Sequence, residues 1–366
     1  MSITEGRLNR SNLLKAGAAG AVGLALPARA LARTVTIDGT TLNMLTWSDH
    51  YANDQLKAVN KSTQIQGRPT LFSDNADAYL KIKHTGSQFD IVSGDALWVP
   101  KYRKDGLTLP FSLSDLPVSK QLYSIARHFP FWQAGSNYMG YPFSWSTVQI
   151  YYNPKYVKTK PDSWHALLDT KYKGKISLEN IPTDVMALAG RATGAKHPYS
   201  MTKSQISSSK DFLKQLKPNV LKLASQNNEV VRALADGSAW IGITNLGTDD
   251  RVKDAGGPVV KTTYPKEGTI GFIDSEQIIK ASHNHDAFFK FENAMQQAPW
   301  IAKNFITNGR PLFNEKAYKI LVNGGHGDRA RRQYYNQPEK ALKMTIKGPA
   351  GDEQAYVDAF NEVFGG

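Results

Sequence analysis

Cysteine is absent from the 366 residues. That excludes disulfides, thiol nucleophiles and thiolate metal sites together. A chain of this length can bury a core large enough to stand without cross-links, even outside the cell. Beyond residue 32 no apolar run is long enough to cross a bilayer. Internal repeats and low-complexity linkers are missing. The familiar catalytic spacings are missing as well: there is no His-Glu-x-x-His and no Gly-x-Ser-x-Gly, and the glycine-rich stretch Gly17 to Gly23 lies in the first 32 residues. His283-Asn284-His285 sits in a polar stretch ahead of a helix and reads as a solvated loop, so no metal and no cofactor are expected. Acid is scarce, with 32 Asp and Glu against 45 Lys and Arg and a net charge of +13. A basic balance raises nucleic acid as a partner. Here the cations are spread along the chain, and the cluster Arg329, Arg331 and Arg332 has no stacking aromatics beside it. A solvated basic surface is expected, with no nucleic acid.

What is present starts with the first 32 residues. Arg7, Arg10 and Lys15 give a positive start, Ala16 to Leu26 is uncharged and apolar, Pro27 breaks it, and Ala28-Arg29-Ala30-Leu31-Ala32 supplies small residues for cleavage. This is the three-part layout of an export signal. An amphipathic first helix is the competing reading, but the run has no polar face. Asn9 to Lys15 is also similar to a twin-arginine signal, with Ser11 where a second arginine would stand. The leader carries +3 (Arg7, Arg10, Lys15 and Arg29 against Glu5), so the remainder keeps +10. The expected location is the periplasm, for a mature chain starting near Arg33.

Hydrophobic patterning then predicts alternating strands and helices. Strands are expected at Val35 to Ile37 and Thr41 to Thr46 around a turn at Asp38-Gly39, then near Pro69 to Phe72 and at Phe89 to Val92. Helices are expected at Ala52 to Lys61 and Ala76 to His84. This order reads as a parallel sheet with right-handed crossovers. In such sheets ligands bind beyond the carboxyl ends of the strands, which here carry Trp47-Ser48-Asp49-His50-Tyr51 and Ser93-Gly94-Asp95. A stiff aromatic segment follows at Tyr141 to Trp145, then strands at Thr147 to Tyr152, Lys175 to Leu178 and Ala239 to Ile243, with a long helix at Lys203 to Leu216. The fold class is α/β, and two such sets joined by extended segments suggest a cleft between lobes.

Several segments, in order along the chain, carry a resemblance: Leu45-Thr46-Trp47-Ser48-Asp49, Phe89-Asp90-Ile91-Val92, Tyr141-Pro142-Phe143-Ser144-Trp145, Ser163-Trp164, Lys171 to Lys175, Ala235-Asp236-Gly237, Tyr264 to Gly268 and Phe272-Ile273-Asp274-Ser275. The chain resembles the periplasmic solute-binding proteins of ABC importers, in particular the spermidine/putrescine-binding group. The resemblance implies a two-lobed periplasmic binding protein fold of type II that closes on its ligand by a hinge. It places one lobe at 33–143 plus 274–319 and the other at 144–273 plus 320–366. It also implies a membrane permease as partner, a monomer, and no enzymatic activity.

The resemblance further implies a ligand set. Trp47 and Asp49 stand where the family has an aromatic and an acid after the first strand. Phe272 and Asp274 stand where it grips an amine, with Phe in place of the usual tryptophan, and Asp184 stands for an acid of the 181–184 loop. The departures are Ile181 for a second acid, Asp95 for a serine, Thr244 for a tryptophan and Arg310 for a tyrosine. The acids Asp49, Asp95, Asp184 and Asp274 fit a polyamine or related amine. Ile181, Arg310 and the positive charge fit a ligand with an anionic or neutral part. Each residue has a plainer rival: packing for Trp47, Phe272 and Trp98, helix caps for Asp49 and Asp95, a surface place for Arg310. Tyr151-Tyr152 is similar to an iron-binding pair but reads as a strand in which one tyrosine packs. Two alternatives stay open: the same fold holding an amino acid derivative, an opine, an aminophosphonate or ferric ion, and a secreted α/β enzyme.

Overall fold

The computed structural model describes residues 39–129, 131–342 and 344–365. The export signal, its cleavage site and the expected strand Val35 to Ile37 lie outside them. Among the described residues no helix is long and apolar enough to cross a membrane.

One mixed sheet runs through the molecule in the order Gln66–Leu71, Thr41–Thr46, Ile91–Asp95, Ile270–Ile279, Tyr141–Tyr152, Ile241–Asn245, Ile176–Glu179, Val220–Ala224. Each half repeats one plan. Thr41–Thr46 is parallel to Gln66–Leu71 and to Ile91–Asp95. Ile176–Glu179 is likewise parallel to Ile241–Asn245 and to Val220–Ala224. The two long strands in the middle are antiparallel to each other and to their outer neighbours. All residues of both are buried, because each has neighbours on both edges and covering layers on both faces. The expected break between an aromatic segment and a strand is therefore absent. Tyr141 to Tyr152 is one continuous strand, and Asp274 lies in the middle of the strand Ile270–Ile279.

The helices form where spacing and caps agree. Asn53–Thr63 buries Gln55, Val59 and Thr63, four residues apart on one face. Lys203–Leu216 opens on a capping box, in which the Thr202 hydroxyl accepts from Gln205 N (3.3 Å) and the Gln205 side chain accepts from Thr202 N (3.0 Å). Pro182 occupies the first turn of Pro182–Ala192, where its missing N–H costs nothing.

Apolar residues collect in two main cores. Met44, Ile91, Phe143, Trp145, Ile273 and Phe291 belong to the first. Val148, Ile150, Leu178, Ile243, Ile270 and Phe360 belong to the second. The long strands pass from one core into the other. The boundary expected at 319/320 falls inside the helix Glu315–Asn323, and Leu321, Ala330 and Tyr335 still pack in the first core. The C-terminal helix Glu353–Phe364 packs in the second. Tyr151 and Tyr152 point to opposite faces and both pack, in separate clusters. Arg329 and Arg332 pair with Asp250, and Arg331 with Asp328, so the basic cluster is largely neutralised within the chain.

Candidate functional site

The carboxyl ends of the parallel strands of both halves open on one cavity of about 930 Å³, counting its mouth. Trp47, Ser48 and Asp49 follow Thr41–Thr46, and Ser73 to Ala76 follow Gln66–Leu71. Asp95 and Glu179 are the last residues of their strands, Asn245 ends another, and Ser225 to Asn227 follow Val220–Ala224. Phe272, Arg310 and Lys347 complete the wall, with Trp98, Ile181, Asp184 and Glu353 around them. Strand order produces this convergence, because it turns the carboxyl ends of the parallel strands of both halves toward one crevice.

The wall holds six carboxyl groups, Asp49, Asp74, Asp95, Glu179, Asp184 and Glu353, against two cations, Arg310 and Lys347. Both cations are already engaged. Arg310 Nη1 stands 3.3 Å from Asp49 Oδ1, with Arg251 Nη1 3.8 Å from the other oxygen. Burial pushes the Asp49 carboxyl up, but the guanidinium groups of Arg310 and Arg251 and the nearby His50 outweigh it and hold the group below its ordinary value. Arg310 Nη2 also donates to His50 Nδ1 at 3.1 Å, and His50 Nε2 bonds Glu276. Lys347 Nζ stands 2.7 Å from Asp184 Oδ2, while Tyr199 donates to Asp184 Oδ1 at 2.5 Å. The two cations flank one ring, Arg310 at 5.5 Å and Lys347 at 5.6 Å from the Phe272 centroid.

Among the described residues, no cationic side chain lies within ion-pair distance of the other four acids. Burial drives the Asp95 carboxyl up to about 8, partly offset by Lys347 and reinforced by the charge of Asp274. Asp274 is its register partner on the neighbouring strand. Glu179 is also raised, first by burial, although Lys347, Thr244 and Asn227 favour its charge. It is only partly covered because its open side is the cavity. Asp74 and Glu353 are raised by burial too.

Six of the seven sequence-expected residues line the cavity: Trp47, Asp49, Asp95, Asp184, Phe272 and Arg310. Asp274 stands behind the wall, fully buried. Its Oδ1 accepts from Ser144 N (2.9 Å) and Oγ (2.7 Å), and Oδ2 faces His50 (3.6 Å) and Arg310 (3.9 Å) without a hydrogen bond. Thr244 is buried outside the wall, where its hydroxyl bonds Glu179 and Asn227. The cap readings fail, since Ala52 and Trp98 precede the helices in question. The surface reading of Arg310 fails at 3% exposure. Trp98 both packs and lines the cavity. Sequence reasoning missed Glu179, Asn227, Asn245, Asp74 and Lys347. Their places at strand ends, for Glu179 and Asn245, or just past them, for Asn227 and Asp74, could have marked the first four. Lys347, beyond a two-residue strand near the C-terminus, had no local signal.

Comparison with known proteins agrees with this geometry. The pattern of the bacterial extracellular solute-binding protein family matches residues 56–318. The chain is 26% identical over 290 residues to the putrescine-binding periplasmic protein PotF of Escherichia coli, covering 74% of this chain and 76% of that one. A putative spermidine/putrescine ABC transporter protein from Listeria monocytogenes superposes with a TM-score of 0.79 at 24% identity, covering 89% of this chain and 99% of the other. The binding protein MotA of A. tumefaciens, solved with glucopine, superposes at 0.70 with 18% identity over 88% and 99%. The fold is that of the type II periplasmic binding proteins. With most of its length matched by the family pattern, and with its strand ends converging on one ligand-sized cavity, the chain belongs to the bacterial extracellular solute-binding proteins.

Proposed function

We propose that this protein is the periplasmic solute-capturing component of an ABC importer and that its solute is an amine of the polyamine class. One observation carries the ligand reading. A chain of net charge +13 gathers six carboxyl groups around its cavity, and both wall cations are already held by two of them. The unmet demand is for positive charge. Trp47, Trp98 and Phe272 supply the apolar and aromatic faces that methylenes and ammonium groups need, each such cation–aromatic contact being worth roughly 0.5–2 kcal/mol. Relatives named for putrescine binding support the same class. The protein is exported by its leader, acts as a monomer, performs no catalysis and binds no nucleic acid. The two cores move as lobes that close on the solute before docking on a membrane permease.

Titration calorimetry with a diamine and a triamine tests this. Asp95→Asn removes, at constant shape, the carboxyl that takes up charge when an ammonium binds, and is expected to cost about 2–5 kcal/mol, or roughly thirty- to several-thousand-fold in affinity. Asp274→Asn is expected to weaken binding less than that and stability more, since Asp274 acts behind Arg310. Asp328→Asn, on the surface, should change neither. Amine binding unaltered in Asp95→Asn would defeat the amine reading of the wall.

A second reading has its own support. Arg310 Nε is buried without a hydrogen bond, and the helices Asn75–Thr85, Pro182–Ala192 and Asn227–Ala235 begin at the wall, presenting positive dipole ends. A solute with an amine at one end and a carboxylate at the other, as in opines, would use both. Including such zwitterions in the panel separates the two.

A further inference from the structure

Lys347 is a cation that the fold itself places in the solute cavity. It follows the short strand Thr345–Ile346, which lies parallel to Ile270 and Gly271. Its backbone is held closely. Lys347 N donates to Gly271 O at 2.7 Å, and Gly348 abuts Leu97 so tightly that a Cβ there would come within 2.7 Å of the Leu97 side chain. The side chain is 10% exposed, and its ammonium has what a bound amine would have: a carboxylate at 2.7 Å in Asp184 and the Phe272 ring at 5.6 Å. Burial disfavours a charged lysine, yet the fields of Asp184, Glu179 and Asp95 more than offset it, so the group stays protonated at neutral pH.

The charges that remain then set the size of the solute. Asp49 is taken by Arg310 and Asp184 by Lys347. Asp74 is engaged as the cap of the helix Asn75–Thr85, accepting from Asp77 N at 2.8 Å, and Glu353 opens the C-terminal helix at the partly exposed edge of the wall. The strand-end acids that no side-chain cation holds are Asp95, buried in one half, and Glu179, partly exposed to the cavity in the other. We infer that Lys347 is a tethered ammonium filling one amine place of the cavity, so that the protein selects a diamine, one ammonium to Asp95 and one to Glu179, over triamines and tetraamines. This rests on the amine reading of the cavity and goes further, naming the residue that sets amine count.

The test uses the mature chain, with butane-1,4-diamine and spermidine as probes in titration calorimetry. The parent is expected to prefer the diamine. Lys347→Gln frees Asp184 for a third ligand ammonium and should shift the diamine-to-triamine affinity ratio at least tenfold toward the triamine. Lys347→Met, which keeps the apolar stem, should shift it the same way if the glutamine variant folds poorly, and Lys347→Arg should keep the parental ratio. Equal losses for both amines in Gln and Met variants would make Lys347 a structural residue and overturn the inference while leaving amine capture intact. A parent that prefers the triamine would overturn it as well. A parent that binds neither amine would remove the amine reading and this inference together.

Discussion

Asp95 shows how one residue's surroundings decide its chemistry. Burial and the like charge of Asp274 hold its carboxyl near 8, against an ordinary 3.8 in the unfolded chain. Between those values the folded protein keeps a proton that the unfolded chain has released, so stability from this group is full at the acid end and is lost as pH rises toward 8. Glu179 and Asp274, also raised, act in the same direction. Asp49 is depressed and works in a lower window, losing its share only as pH falls below about 4. The ligand-free protein is therefore expected to show a lower urea midpoint at pH 8 than at pH 5. An amine that pairs with Asp95 reverses its preference, so binding at pH 7 should release protons, read from calorimetric enthalpies in buffers of different ionisation heat. A midpoint that climbs from pH 5 to 8, with no proton release, would remove this account of Asp95. The residue types were legible beforehand at Trp47, Asp49, Asp95, Asp184, Phe272 and Arg310, because strand-end positions and family spacing mark them. That Arg310 and Lys347 consume two of the acids was not legible, since each pair joins residues more than 160 positions apart.

Elements place these residues through a few tight contacts. The helix Ala298–Asn308 ends at Gly309 with φ of 76°, a left-handed turn that a glycine adopts freely and that aims Arg310 into the cavity. Gly247, with φ of 82°, meets this turn so closely that a Cβ on it would lie 1.7 Å from Gly309 O. Gly247→Ala must therefore strain its own backbone and push the Arg310 turn away, which is expected to cost about 2–4 kcal/mol and to weaken solute binding. Gly237→Ala, also at positive φ but facing open space, should cost only the backbone part, about 1 kcal/mol. Equal midpoint shifts in chemical denaturation would show that the close approach is unimportant. Element prediction succeeded where one face is buried, as in Asn53–Thr63 and Lys203–Leu216. It failed at Tyr141–Tyr152, where both faces are covered and no alternation remains to read.

At the scale of the whole molecule, two cores share two long strands and meet at a cavity built from strand ends of both. Rotation of one core against the other needs few torsions to change in Tyr141–Tyr152 and Ile270–Ile279, and the irregular pairing between Ile273 and Ser275 offers a place for it. Solution scattering is expected to give a smaller radius of gyration at saturating amine than without it. An unchanged radius would mean that the cavity captures its solute without lobe movement.

Local order in the sequence was enough to determine the alternation of strands and helices, the parallel pairing of the first three described strands and the family, because each depends on residues close along the chain or on motifs in series. Tertiary structure alone decided the charge state of the cavity. Arg310, Lys347, Asp274 and the acids they neutralise or support come from segments far apart, and only when the strands converge do burial and Coulomb interaction act between them. The sequence carries an excess of positive charge. The cavity reverses it, because the strand ends and following loops that converge there carry six carboxyl groups against the two cations Arg310 and Lys347.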